Sequence, residues 1–171
     1  MNSKQRLAQR LADLEEILDS LYETLGNAKK RRAFANDVFE KDGINQRLRK
    51  EVLPEISKNE MEYWELLAQE VSTGEVAEAD ASYAIVEVVQ EVELIKSQPN
   101  KYPDDLMRKL QKILDTLNEQ ERPAANKLIA ALPIIPGIMS YQLEIDTEIS
   151  LKRVFEGIKQ LLTNAIKKNH N

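Results

Sequence analysis

Cysteine is absent from this sequence, and histidine occurs once, as His170 beside the last residue. The first absence removes disulfides, thiolate metal sites and thiol nucleophiles together. The second leaves the body of the fold without a histidine-based triad, a metal-histidine site or an imidazole acid or base. Glycine is scarce as well, and Gly26, Gly43, Gly74, Gly137 and Gly157 fit neither G-x-x-x-x-G-K-[ST] nor G-x-G-x-x-G, so no known phosphate-binding loop is present. Aromatic residues are only 5%, which leaves Leu, Ile, Val and Ala to fill a core. Long apolar runs are also missing. The uncharged stretch LIAALPIIPGIMSYQL, residues 128 to 143, is shorter than the roughly 20 residues of a spanning helix. Pro133, Pro136 and Gly137 break it further, so it reads as a buried elbow in which one helix ends near Leu132 and the chain turns toward the last helix.

What is present points to a folded helical chain. The 171 residues are 42% hydrophobic and 31% charged, enough for one domain that buries roughly 70% of its unfolded surface. The opening MNSKQRLAQRLADLEE reaches acidic residues before any continuous apolar stretch, so it does not read as a secretory leader. A cytoplasmic location is expected.

Apolar spacing predicts helices nearly throughout. Leu7, Leu11, Leu14, Leu18, Leu21 and Leu25 alternate four and three apart, which puts them on one face of a first helix capped by Ser3. Gly26 and Asn27 either end that helix or only weaken it, and EKDGIN around Gly43 is the expected turn. A second helix carries Leu48, Val52, Ile56, Tyr63 and Leu67, with a kink expected at Pro54, which deprives residue 50 of a hydrogen bond. STGE at 72 to 75 is the next break. A third helix holds Ala81, Ile85, Val88, Val92 and Ile95, a strand being the minor alternative given its Val and Ile content. A fourth helix follows QPNKYPDD with Leu106, Leu110, Ile113 and Leu117; a short fifth runs from about Pro123 to Leu132. The sixth, from near Asp146, has a wide apolar stripe that includes Leu151, Phe155, Ile158 and Leu162. Met139, Tyr141, Leu143 and Ile145 alternate as in a strand but have no second strand to pair with, so residues 138 to 145 stay undecided between helical, extended and irregular.

Charge is segregated along the chain. Residues 29 to 50 hold eight Lys or Arg and three acids; residues 51 to 95 hold twelve acids and only Lys58, within a chain of net charge −5. Such separation steers association, while Leu and Ile supply the burial energy. Lys29, Lys30, Arg31 and Arg32 are therefore candidates for a partner-facing patch, with Phe34 and Phe39 nearby. Nucleic-acid binding is disfavoured by the acidic balance of the whole. Tyr63 and Trp64, the sole tryptophan, are candidate interface anchors, core packing being the plainer reading. Glu144, Asp146 and Glu148 alternate as metal-sharing carboxylates can, although Asp146 as helix cap and Glu148 in the first turn is the simpler account.

LYETLGNAKKRRAF, EVLPEISKNEMEYWELLAQE, NKYPDDLMRKLQKILDTLNE and especially KLIAALPIIPGIMSYQLEIDTEISLKRVF resemble the helical regions found in front of STAND-type (NACHT) ATPases and beside caspase-like or TIR effectors in bacterial signalling and conflict-system proteins. That resemblance spans most of the chain. It implies a small adaptor or effector-associated module that works by protein contact, with oligomerisation as an option, and it supplies no catalytic residue.

The expected architecture is an all-α, single-domain bundle of five to six helices, with long antiparallel helices and a Pro-Gly elbow before the last one. Residues 1–72 form an N-terminal hairpin and 75–171 the remaining helices. The expected function is a non-enzymatic protein–protein interaction or adaptor module without metal or cofactor, acting on a protein partner or on itself. The alternative is a membrane-active bundle whose elbow and last helix, with Lys152, Arg153, Lys159, Lys167 and Lys168, meet lipid after a trigger.

Overall fold

The computed structural model describes residues 2–71, 73–98, 101–141 and 148–169. The chain is all-α. Its helices are α1 (Ser3–Phe34), α2 (Val38–Arg47), α3 (Leu53–Glu70), α4 (Glu78–Lys96), α5 (Asp104–Leu117), α6 (Ala124–Ala131), α7 (Ile135–Met139) and α8 (Glu148–Asn169).

α1 is longer than the leucine stripe alone predicts, because Gly26 does not end it. The cap is also one residue earlier than expected. Asn2 accepts from the Gln5 amide at 2.8 Å while the Gln5 side chain accepts from the Asn2 amide at 3.0 Å, a reciprocal capping box. The turn expected at Gly43 lies instead at Ala35–Asp37, and Gly43 sits inside α2. Asp37 decides this: its carboxylate accepts from the Phe39 amide at 2.9 Å and so starts a new helix. No described residue has a positive φ, so no turn here needs glycine.

Between α2 and α3 the helical path widens into one π-type turn, Leu48–Val52. Pro54 explains it. Proline has no N–H to give the carbonyl four residues back, and its ring crowds that carbonyl. Widening the turn lets the Leu53 amide bond to the Leu48 carbonyl instead. It also brings Leu48, Val52 and Leu53 into one small apolar cluster with Leu25 and Ile56. The predicted kink is thus a bulge just before the proline.

α1 and α3 run antiparallel. Arg10 meets Glu62 and Tyr22 meets Glu60 of α3, while Arg32 meets Asn45 of α2 earlier on the returning chain, the reversed order of a hairpin. Their inner faces merge into a main core that also takes side chains from α4 to α8. Ala81, Ile85, Val88, Val92 and Ile95 of α4 are all buried in it, as are Leu106, Leu110, Ile113 and Leu117 of α5. Helical spacing therefore held over strand propensity at α4. α4 lies against α8 and α6, and α3 against α7. The Glu78 carboxylate accepts the Ala124 amide and, at 3.1 Å, the Ala125 amide, so a residue that opens α4 caps α6.

The uncharged run is the inside of this fold. Leu128, Leu132, Ile135 and Ile138 are fully buried, and the elbow is a 3-10 turn, Leu132–Ile134, leading into α7. Pro136 lies in the first turn of α7, where its missing N–H has no partner to lose. Met139 ends α7 and Tyr141 follows it as irregular chain, whereas Leu143, Ile145 and the expected cap Asp146 lie outside the described residues.

Candidate interaction surface

The C-terminal end of α1 and the start of α2 project large apolar side chains into solvent. Phe34 is 84% exposed, Val38 75% and Phe39 85%, and α2 buries no residue of its own. The local cause is the turn. Asp37 interrupts the helix between the two phenylalanines, so neither continues the buried leucine stripe that ends at Leu25.

Two adjacent depressions shape this tip and share Arg31 and Glu40. One, of about 450 Å³, is bounded by Lys30, Phe34 and Asp37. The other, of about 430 Å³, is bounded by Ala28, Phe39, Ile44, Leu48 and Val52 and reaches the small apolar cluster. Three apolar side chains of this size together on a tip, beside cations, are uncommon on a surface without a binding role.

The four basic residues singled out in the sequence do not form one face, since neighbours on a helix point about 100° apart. Lys30 and Arg31 are exposed and border the depressions. Lys29 and Arg32 are half-buried, and the Arg32 guanidinium donates to the Asn45 side chain at 3.1 Å, tying α1 to α2.

Tyr63 and Trp64 are not on this surface or on any other. Their exposures are 0% and 1%, which corrects their assignment as interface anchors. Trp64 packs edge-on against Phe155, ring centres 6.0 Å apart, and Tyr63 hydrogen-bonds Glu15 and Thr163, each at 2.9 Å. α3 is the central helix of the bundle, and a Tyr-Trp pair there joins α1 to α8.

The cations of α8 named for lipid contact are also partly engaged. Lys152 stands 3.9 Å from the centre of the Tyr22 ring and Lys159 4.5 Å from that of Tyr63, distances at which the ring face attracts a cation. Of the three candidate metal carboxylates, Glu144 and Asp146 lie outside the described residues, and Glu148 opens α8. Among the described residues no three His, Cys, Asp or Glu side chains converge as a metal site requires, and no helix is long and apolar enough to cross a membrane.

The sequence held one unused signal for the tip. Asp37 followed by Glu40 is the spacing of a helix start, and it isolates Phe34 and Phe39 on either side of a break. No protein-family model matches the chain, and neither a curated protein nor a solved structure matches it.

Proposed function

We propose that this chain is a non-enzymatic protein–protein interaction module, an adaptor in bacterial signalling or defence acting in the cytoplasm. The observation that supports it best is the tip: Phe34, Val38 and Phe39 exposed beside Lys30 and Arg31. Aromatic anchors next to a depression, rimmed by charge, are what a partner protein engages. The resemblance to regions beside STAND ATPases and caspase-like or TIR effectors supports the setting. In the membrane-active alternative the elbow and the apolar stripe of α8, which are packed in the core, meet lipid only after a trigger frees them. A lipid-binding role falls to the tip, where Phe and Lys also suit an anionic interface.

A photo-crosslinking amino acid at position 39, with a second at exposed Gln120 as control, tests the reading in cells. Discrete protein adducts from position 39 alone, lost when Lys30 and Arg31 are changed to Glu, are expected. Lipid adducts in their place, or the same adducts from both positions, overturn it.

A further inference from the structure

A second surface complements the tip. A groove of about 760 Å³ runs between α4 and α8, bounded on its apolar side by Tyr83, Leu161 and Ala165. Glu75, Asp80 and Glu87 supply its charge, with Lys167 the one cation along it among the described residues. Tyr83 is 71% exposed, and Val86 and Leu94 extend an apolar outer stripe along α4. Gly157 lies on the groove opposite Glu87, whose flexible carboxylate end occupies the space beside it. Among the described residues Lys30 and Arg31 have no ion-pair partner, and neither have Asp80 and Glu87.

The geometry points to head-to-tail self-association, in which the tip of one copy, with Phe34, Phe39, Lys30 and Arg31, docks in the acidic α4–α8 groove of a second copy. Apolar side chains meet an apolar wall, and unpaired cations meet unpaired carboxylates. The two surfaces cannot meet within one molecule. Lys167, at one end of the groove, also borders a depression with Ala8 and Ala12 near the start of α1. From Ala12 to Phe34, α1 rises about 33 Å. Because donor and acceptor surfaces differ, the contact is heterologous. After one contact the donor copy still has a free groove and the acceptor copy a free tip, so the assembly grows into a ring or an open chain.

The inference rests on the tip being a protein-contact surface, and its test separates the two. Sedimentation velocity of the purified full chain over a concentration series should show association that weakens as salt rises, since exposed charges are screened within about 8 Å at physiological ionic strength. Lys30→Glu with Arg31→Glu, and separately Asp80→Lys with Glu87→Lys, should each weaken it by about tenfold or more. Mixing these two proteins should restore it, because each reversed surface then faces its opposite. Phe34→Ser with Phe39→Ser should abolish it at unchanged helical content. A wild-type chain that stays monomeric at its highest soluble concentration overturns the inference, and tip-dependent crosslinks to a different protein would then leave the adaptor reading standing. A groove-reversed variant that associates as strongly as wild type, or tip-dependent flotation of a monomeric chain with phosphatidylserine vesicles, overturns it as well.

Discussion

The Tyr22 hydroxyl donates to the Glu60 carboxylate across 2.9 Å, joining α1 to α3 at a glutamate that is only 2% exposed. The other carboxylate oxygen accepts from the Trp64 indole at 3.2 Å. A carboxylate is rarely taken into a core unless its oxygens are satisfied, and here the Tyr22 hydroxyl from α1 and the Trp64 indole one turn along α3 do so. The arrangement rigidifies the hairpin beneath the small apolar cluster that supports the tip.

Removing that acceptor should therefore cost more than its own hydrogen bonds. Glu60→Ala strands the buried Trp64 donor and the half-buried Tyr22 donor and leaves a cavity, an expected loss of about 3 kcal/mol. Glu60→Gln keeps one acceptor and should cost about 1 kcal/mol. Urea denaturation followed by the fluorescence of Trp64, the sole tryptophan, measures both. Equal midpoints for the two variants would show that the network contributes nothing.

At the elbow, depth separates two neighbouring isoleucines. Ile138 is fully buried and Ile134 only partly so. Ile138→Asp puts an unpaired charge in an apolar site and should destabilise by several kcal/mol or prevent folding, whereas Ile134→Asp should cost about half as much or less. Thermal midpoints by circular dichroism rank the two. The reverse order would mean that α7 is turned the other way in the core.

Gly26 and Gly43 lie inside helices, and a Cβ on either meets nothing within 4 Å. Alanine at each should stabilise by about 0.5 to 1 kcal/mol through helix propensity and a less flexible unfolded chain. If Gly43 formed the turn that its neighbours suggest, the same change would destabilise. The two outcomes have opposite signs in one denaturation experiment.

Two groups on α3 set opposite pH limits. Burial, opposed in part by the Thr163 hydrogen bond and reinforced by Glu15, raises the Tyr63 phenol well above its usual 10.0. A raised value means that the folded state keeps its proton where the unfolded state loses it, so stability is whole below pH 10 and falls as pH rises beyond it. Tyr63→Phe should flatten that alkaline decline. The Arg10 guanidinium, hydrogen-bonded to Glu62 at 2.8 Å, lowers the Glu62 carboxyl below 4.5. That contribution is present above pH 4.5 and lost as pH falls below it; it is small, because the pair lies open to solvent. Glu62→Gln should leave the alkaline limb unchanged and slightly flatten the acid one.

The leucine and isoleucine spacings decided by themselves that the chain is all-α and which faces are inside, because a helix with one apolar stripe must bury it. Leu11, Leu14 and Leu18, Val88 and Val92, and Leu110 and Ile113 are buried as their periods require. The scarcity of histidine, cysteine and glycine set bounds on chemistry in the same direct way. Local signals also located the break before α4 and the elbow. Tertiary structure alone decided what pairwise placement governs. Whether Tyr63 and Trp64 face a partner or the core depends on which helices flank α3, and both rings are inside. The Tyr22 hydroxyl of α1 reaches the buried Glu60 carboxylate across the hairpin, and Glu78 caps α6 from across the fold; no period along the chain encodes either contact. Phe34 and Phe39 are apolar like the core, yet they stand outside it because the hairpin turns between them and, among the described residues, no helix covers that end.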